Sequence, residues 1–382
     1  MEKIYLEDLS DEEIINTLSY DKQIVEKQNY LQKLWKNNEV MPLLSMDNPN
    51  NYRHKVVTTF GYNKRLKKIE AGMYKPRSHK IEDKKELAII EELELQEVSN
   101  TIFQIMKKYK MMPYDEDAQV GFLRHILLRK SYYTNEILVV LVVSSFVFNG
   151  KNNFIKELTK KHPNIKSIVL NENRRRTSII LGDKEKVIYG SGYINDSLCN
   201  KRFRISSKSF YQVNPVQTEV LYSTALDLLK LNGNEVLVDS YCGIGTIGII
   251  ASDKVKSVIG VESNKEAIKD AIHNSKLNDC DNVRFHCDDA SSYLEQLAQR
   301  KEKVDVVIMD PPRSGSDEKF LSAVCKLKPK KIAYISCGPE TQVRDVKYLL
   351  KNGYKITTIQ GVDMFPFTKH VESIVLMSRE DD

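Results

Sequence analysis

Cysteine is scarce in this chain of 382 residues, and its spacing is unsuited to binding a metal. There are six cysteines, none of them before Cys199, and no pair has CxxC spacing. The pattern predicts a cytoplasmic protein with reduced thiols, without a metal site or an iron–sulfur cluster. Apolar runs long enough to span a bilayer are also missing, as is a basic N-terminal segment with an apolar core. We therefore expect neither a membrane partner nor an export signal.

Basic charge, by contrast, is concentrated in one segment. The net charge of the whole chain is +6, yet residues 51–80 contain nine basic side chains and a single acid, Glu70. The nine are Arg53, Lys55, Lys64, Arg65, Lys67, Lys68, Lys75, Arg77 and Lys80. Aromatic residues lie between them, and this mixture favours binding of an RNA backbone and its unstacked bases. The alternative is a solvated hairpin, because lysine-rich turns are common.

Hydrophobic periodicity predicts an N-terminal extension at 1–19 and a central domain at 20–205. The central domain should be α+β and largely antiparallel, and its basic segment predicts a role in RNA recognition. Its predicted helices are at 21–37, 86–110 and 152–161, and its predicted strands are at 56–60, 122–128, 137–143, 168–170 and 177–181.

Residues 206–382 have a different pattern, in which predicted strands and helices alternate. Strands are predicted at 235–239, 257–261, 283–286, 304–309, 331–335, 355–359 and 374–377. The last two leave no room for a helix between them, so they should form an antiparallel hairpin. A seven-stranded, Rossmann-like α/β sheet with such a hairpin is the arrangement of class I methyltransferases, and its ligands bind at the carboxyl ends of the strands.

A glycine-rich loop follows the first of these strands and opens a helix. In Asp239-Ser-Tyr-Cys-Gly243-Ile-Gly245, the glycines allow close approach of a ligand to the backbone. The loop continues to match G-x-G-x-x-G, so a nicotinamide or flavin nucleotide competes with S-adenosylmethionine as its ligand. Glu262, at the end of the next strand, could hold ribose hydroxyls in either case. Asp239 favours the methyl donor, and a purely structural turn is the third interpretation.

Two further strand ends carry reactive groups. Asp310-Pro311-Pro312 is typical of enzymes that methylate amino groups, but these place an aromatic residue where this chain has Arg313. Cys337 ends the fifth strand, and a thiolate that adds to carbon 6 of uracil makes carbon 5 nucleophilic. A base must then remove the carbon 5 proton, and Glu372 at the start of the last strand is the best-placed carboxylate.

Together these motifs, with Phe210-Tyr-Gln-Val-Asn-Pro and Phe365-Pro-x-Thr-x-His-Val-Glu, resemble the bacterial RNA uracil-C5 methyltransferases, which use S-adenosylmethionine. The resemblance implies that Cys337 is the nucleophile and Glu372 the base. The cofactor-binding residues that it implies are Gln212, Tyr241, Gly243, Gly245, Thr246, Glu262, Asp289 and Asp310. It also implies substrate contacts from Phe210 and Arg313.

Two departures from the family pattern are visible. Many relatives begin with a small β-barrel (TRAM) domain and a cysteine cluster, and we expect this chain to lack both. Gly338 also stands where the family often has asparagine. The similarity is greatest to the 23S rRNA members, so large-subunit rRNA is the predicted substrate and tRNA the alternative. A nucleotide-dependent oxidoreductase and a catalytically idle RNA-binding module are alternatives from other classes, and no protein partner is evident.

Overall fold

The structure, a computed structural model, describes residues 9–75, 78–82 and 85–379. Contacts divide the chain into two compact units. The terminal unit comprises Met1–Pro49, Leu198–Phe203 and Ser209–Asp382, and the central unit comprises Asn50–Ser197 and Arg204–Lys208. No helix among the described residues is both long and apolar enough to cross a membrane.

The described residues form ten α-helices and seventeen β-strands, numbered here in chain order. The helices are α1 (Asp11–Thr17), α2 (Tyr20–Trp35), α3 (Leu93–Lys108), α4 (Lys151–Lys161), α5 (Pro215–Leu229), α6 (Thr246–Ala251), α7 (Lys265–Leu277), α8 (Ala290–Gln299), α9 (Glu318–Leu327) and α10 (Pro339–Leu350). The strands are β1 (Met41–Leu44), β2 (Lys55–Asn63), β3 (Lys68–Tyr74), β4 (Ile81–Glu82), β5 (Leu123–Lys130), β6 (Ile137–Val143), β7 (Ile165–Glu172), β8 (Lys184–Gly190), β9 (Tyr193–Leu198), β10 (Lys201–Ser206), β11 (Val236–Ser240), β12 (Ser257–Glu262), β13 (Val283–Cys287), β14 (Val306–Met309), β15 (Lys331–Ser336), β16 (Tyr354–Val362) and β17 (Glu372–Arg379). Short 3₁₀ helices cover Lys85–Ile89 and Ser252–Lys254.

The terminal unit is built on a mixed sheet in the order β1-β16-β17-β15-β14-β11-β12-β13. Strand β17 runs antiparallel to both of its neighbours, whereas the other strand pairs are parallel. The central strands β14 and β15 are almost entirely buried runs of apolar residues, as expected for a sheet covered by helices on both faces. The predicted class I arrangement is confirmed, and β1 adds an eighth strand that the periodicity did not predict.

The N-terminal part of the chain lies in the terminal unit, which differs from the predicted boundaries at 19 and 205. The reason is packing. Leu31 and Trp35 of α2, together with Leu43 of β1, belong to the same hydrophobic core as Ile359 and Val375 of the sheet. An amphipathic helix joins the unit against which it buries its apolar face, and periodicity alone does not identify that unit.

The central unit contains a sheet in the order β4-β3-β2-β5-β6-β7-β8. Its pairs are antiparallel except β6 with β7, which α4 connects as a crossover. Strands β5 and β6 are buried, and α3 and α4 contribute to the same core through Ile102 and Leu158. The predicted α+β, largely antiparallel fold is confirmed.

One predicted strand of the central unit is wrong. Residues 177–181 form a loop, and the strand begins only at Lys184. The Asn173 side chain donates hydrogen bonds to the carbonyl oxygens of Ile179 (2.8 Å) and Ile180 (3.0 Å), which satisfies backbone groups that a sheet would otherwise pair. The strand that does form is charged and exposed, because it lies at the edge of the sheet.

Candidate active site

The predicted nucleophile and base meet at one edge of the sheet in the terminal unit. Ser336 of β15 is paired with Ser373 of β17, so Cys337 and Glu372 are the next residues at the same end of these antiparallel strands. Opposite residues on paired strands have Cβ atoms roughly 5 Å apart. Asp310 follows β14, the neighbour of β15. The sheet therefore brings a thiol and two carboxyl groups together.

The surroundings of the Cys337 thiol disfavour its ionised form. Its side chain is half-buried, and burial raises the pKa of the thiol to about 11. The carboxylates of Glu372 and Asp310 also raise this pKa, and the Arg313 guanidinium lowers it. A thiolate is the reactive form, so attack on a substrate requires that the proton leave the sulfur.

The two carboxyl groups are also perturbed. Glu372 is only 3% exposed, and its pKa is raised well above the ordinary value by burial and by Asp310, with Arg313 opposing. Burial raises the pKa of Asp310 to about 7. A carboxyl group with a raised pKa is a stronger base once ionised, and such groups are common at catalytic sites.

The buried Gln342 side chain links β15, which leads to Cys337, with β17, which begins at Glu372. The Gln342 side chain on α10 donates to the carbonyl oxygens of Tyr334 (2.8 Å) and Ser373 (3.2 Å), and its own oxygen accepts from Ser373 Oγ (2.6 Å). These bonds fix the ends of β15 and β17 relative to each other. They position the backbone beside Cys337 and Glu372.

Gly338 follows the nucleophile in a space that has no room for a side chain. A Cβ atom there would lie 2.8 Å from the Arg313 carbonyl oxygen and 2.9 Å from Thr341 Oγ1. Thr341 Oγ1 donates to both the Arg313 (3.0 Å) and Gly338 (2.8 Å) carbonyl oxygens. The glycine at this position therefore allows the Cys337 and Arg313 loops to pack closely in this chain.

A cavity of about 190 Å³ opens beside the Cys337 thiol. It is lined by Tyr30, Arg313, Cys337, Pro339, Glu340, Lys369, His370 and Val371. The Tyr30 hydroxyl donates to Glu340, and Arg313 Nη2 donates to His370 Nδ1 (2.5 Å). A guanidinium can only donate, so His370 is unprotonated at Nδ1, and burial and Arg313 lower its pKa. The cavity offers cations, an aromatic ring and a thiol in one space.

The glycine loop has the backbone of a ligand site. Tyr241 (φ 65°) and Gly243 (φ 56°) are both left-handed, a conformation that is uncommon for an aromatic residue and is frequent at functional sites. The Glu262 carboxylate accepts from the backbone N–H of Gly243 (3.2 Å) and Asn264 (2.8 Å), which fixes the acid at the end of β12. Asp239 accepts from Gly248 N–H (2.8 Å) and so closes the loop onto α6.

These residues fit S-adenosylmethionine. The space beside Gly243, where a Cβ atom would meet nothing within 4 Å, leaves the backbone open to a ligand. The half-exposed carboxylate of Glu262 suits ribose hydroxyls, and Thr246 opens α6 immediately after the loop.

Among the described residues, no group of three or more His, Cys, Asp or Glu could hold a metal ion, and the absence of a metal and of an iron–sulfur cluster stays a prediction.

The other predicted cofactor and substrate residues differ in burial and in their hydrogen bonds. Gln212 is half-buried on the loop before α5 and lowers the pKa of the Tyr222 hydroxyl, and the Tyr241 hydroxyl lies 3.3 Å from Ser316 Oγ. Asp289 is exposed and caps α8 by accepting from Ser292 N–H (2.9 Å). The Phe210 ring is 65% exposed on the loop before α5.

Tyr222 was missed by sequence reasoning. It is buried on α5, and its pKa is raised far above the ordinary value by burial, with further contributions from Asp310, Asp239 and Glu372. The Tyr222 hydroxyl is therefore close enough to Gln212 and to these carboxyl groups for them to affect its pKa. No motif marks it, because one tyrosine in an apolar helix looks like an ordinary core residue. Gln342 and Tyr30 were also missed, because no sequence motif distinguishes them from other residues of their helices.

The basic segment of the central unit forms the β2–β3 hairpin and the residues around it. Asn63 Oδ1 accepts from the N–H groups of Arg65 (3.1 Å) and Leu66 (3.0 Å), which orders the turn. Arg65, Lys67 and Lys68 are exposed there. Arg77 of the same segment lies outside the described residues. The hairpin presents several cations on an ordered scaffold.

Known proteins share this fold and sequence. An RNA methyltransferase from Oceanobacillus iheyensis is 40% identical over 363 residues, which cover 94% of this chain and 79% of that protein. Another, from Bacillus cereus, is 41% identical over 340 residues, covering 89% and 73%. The crystal structure of the Pyrococcus abyssi tRNA (uracil-54, C5)-methyltransferase, in complex with S-adenosyl-L-homocysteine, is 27% identical with a TM-score of 0.79, covering 95% of this chain and 84% of that one.

The fold, the site and these similarities define an S-adenosylmethionine-dependent RNA methyltransferase. Residues 19–380 match the model of one family, tRNA (uracil-5-)-methyltransferase, and the chain belongs to that family. The predicted family and enzyme class are thereby confirmed. Neither the oxidoreductase nor the catalytically idle RNA-binding module agrees with this enzyme class.

Proposed function

We propose that this enzyme methylates carbon 5 of a uridine in 23S rRNA through a covalent bond between Cys337 and carbon 6. The observation that carries the proposal is the convergence of Cys337, Glu372 and Asp310 at the ends of adjacent strands. The cysteine pattern supports the cytoplasm as the location, and the basic hairpin supports the central unit as an RNA-binding domain.

The chemistry follows from the polarity of uracil. As Cys337 Sγ gives up its proton to solvent and bonds to carbon 6, the electrons of the 5,6 double bond move onto carbon 5 and the carbon 4 carbonyl oxygen. S-adenosylmethionine, when bound, supplies an electrophilic methyl group for carbon 5. Glu372 then takes the carbon 5 proton, the double bond forms again, and the bond between Sγ and carbon 6 breaks.

Each group of the site has a role in this scheme. Gln212, Tyr241, Gly243, Gly245, Thr246, Glu262, Asp289 and Asp310 are the proposed cofactor residues. Phe210 and Arg313 are the proposed substrate residues; an exposed aromatic ring can stack on a base, and Arg313 lies in the cavity beside the thiol. The target uridine must leave its base stack to present the carbon 6 face.

Two variants separate the two halves of the reaction. Cys337→Ala should bind RNA and S-adenosylmethionine yet form neither adduct nor product. Glu372→Gln should form the adduct and transfer the methyl group but stall before elimination, with turnover reduced by roughly 10²–10⁴-fold. Denaturing gel electrophoresis with radiolabelled methyl donor measures the trapped complex. Appreciable activity in Cys337→Ala, or normal turnover in Glu372→Gln, would contradict these assignments.

A second candidate substrate is tRNA. It is supported by the similarity to the Pyrococcus abyssi enzyme, whose substrate is uracil 54 of tRNA, over 95% of this chain. The two candidates are separated by mapping 5-methyluridine in both RNA classes from cells with and without the gene. Loss of the modification from 23S rRNA alone supports the first proposal, and loss from tRNA alone overturns it in favour of the second.

A further inference from the structure

One face of helix α2 is bonded to the loop that leads to Glu372. Lys27 Nζ donates to Asp363 Oδ1 (2.6 Å) and to the Phe365 carbonyl oxygen (3.0 Å), and the Lys27 and Asp363 side chains are completely buried. Tyr20, seven residues earlier on the same face, donates from its hydroxyl to Asp363 Oδ2 (2.8 Å). Both oxygens of a buried carboxylate are therefore satisfied by one helix.

The same loop is held at other points by side chains. The Phe367 N–H donates to Gln23 Oε1 (2.9 Å), again from α2. Asn214, which caps the start of α5, donates to the Met364 carbonyl oxygen (3.0 Å), and Gln217 of α5 donates to the Asp363 carbonyl oxygen (3.0 Å). Residues 363–368 have no strand partner for these groups, so side chains replace the sheet as their support.

We propose that Lys27 is a positioning residue for Glu372. It fixes the loop between β16 and β17 so that the carboxylate stands where it can remove the carbon 5 proton. This inference rests on the proposed function, in which Glu372 is the base. A catalytic group must be held to about 0.5 Å of its productive geometry, and an irregular loop provides that precision only when other groups hold it.

The effect should be selective for the base. Cys337 is supported through a different set of contacts, formed by Gln342 and Ser336 around the end of β15. Loss of the Lys27 contacts should therefore leave sulfur attack and methyl transfer working while elimination slows. A residue that only stabilises the fold would slow all steps together or none.

The test uses the full chain with three variants. Lys27→Met alone leaves Asp363 buried without its cation and threatens folding, so the main variant is Lys27→Met with Asp363→Leu, which replaces the ion pair by apolar side chains. Tyr20→Phe removes only a phenol oxygen and keeps the ion pair. Lys22→Met is the matched control, because Lys22 is exposed on the same helix.

Each variant is incubated with RNA and S-adenosylmethionine, and the methylated protein–RNA complex is quantified on a denaturing gel. The double variant should turn over about 10–100-fold more slowly and accumulate this complex, because small misplacements of a catalytic group have effects of that size. Tyr20→Phe should accumulate less, and Lys22→Met none.

A folded double variant that accumulates no complex overturns the inference, whether its turnover is slow or normal. If the double variant does not fold, absence of the complex in Tyr20→Phe overturns it instead. Glu372→Gln is run in parallel. If that variant also fails to trap a complex, the assignment of the base is at fault, so the two failures are distinguishable.

Discussion

The terminal and central units carry their candidate functional groups in opposite ways. In the terminal unit the groups are acids and a thiol close together at the ends of strands, and Glu372 and Asp239 are 3% and 1% exposed. In the central unit they are cations on a hairpin, where the Lys64 and Lys68 side chains are 77% and 57% exposed. Buried charges interact strongly because water screens them little, whereas exposed charges are weakened by water and salt. Single substitutions should therefore have large, specific effects in the first unit and small, additive ones in the second.

The largest of the remaining effects is expected at Glu262. If its carboxylate binds ribose hydroxyls, Glu262→Ala should weaken binding of S-adenosylhomocysteine by about 10–100-fold, the usual value of a charged hydrogen bond. Calorimetry measures this, with Glu266→Ala on the surface of α7 as the matched control and NAD as a ligand that should not bind. Tighter binding of NAD than of S-adenosylhomocysteine would break the assignment of the loop.

A smaller effect is expected for the hairpin of the central unit. Reversing the charges of Arg65, Lys67 and Lys68 together should weaken RNA binding by about tenfold at low salt and reduce the salt dependence by about one released counterion per lost phosphate contact. Charge reversal of the exposed α4 residues Lys156, Lys160 and Lys161 is the control for net charge. Equal effects in both triple variants would show that the hairpin is an ordinary solvated surface.

The smallest effect concerns the reactivity of the thiol. Because Glu372 raises the pKa of Cys337 and Arg313 lowers it, Glu372→Gln should speed alkylation by iodoacetamide at pH 9 and Arg313→Gln should slow it, each about threefold. In the unmodified enzyme the rate should continue to rise toward pH 11. The background is measured with Cys337→Ala, and Arg300→Gln is the control. Equal alkylation rates in both variants would mean that the charges of Glu372 and Arg313 do not affect the pKa of the Cys337 thiol.

Sequence reasoning succeeded where a local pattern determines the structure. The strands of the terminal sheet are short apolar runs separated by amphipathic helices, so their positions and the reactive residues at their ends could be predicted. Strand β1 could not, since its four residues include Pro42 and its pairing depends on β16, more than 300 residues away. Strand β8 was misplaced because it is exposed and lacks the apolar alternation that marks a strand.

The sequence indicates candidates for the reactive groups but not for the side chains that support them, and the roles of Cys337 and Glu372 stay a prediction. Cys337 and Glu372 follow from the chemistry of uracil and lie in recognisable motifs. Gln342 and Lys27 make their contacts with distant parts of the chain, and each looks like an ordinary helical residue in sequence. The residues that hold a catalytic group in place are chosen by tertiary geometry, which a single sequence does not display.

Strand β1 also limits pairing of this sheet with a second copy of the protein. Without it, the nine residues of β16 would end the sheet with a row of unpaired backbone groups, a surface onto which another copy could add a strand. Strand β1 pairs with the end of that row, at Gln360 and Val362, and Pro42, which has no N–H to offer, makes this part of the border a poor template for further pairing. The four residues of β1 lie beside the pairing of Val362 with Glu372, so the strand that limits pairing at this border also adjoins the proposed base.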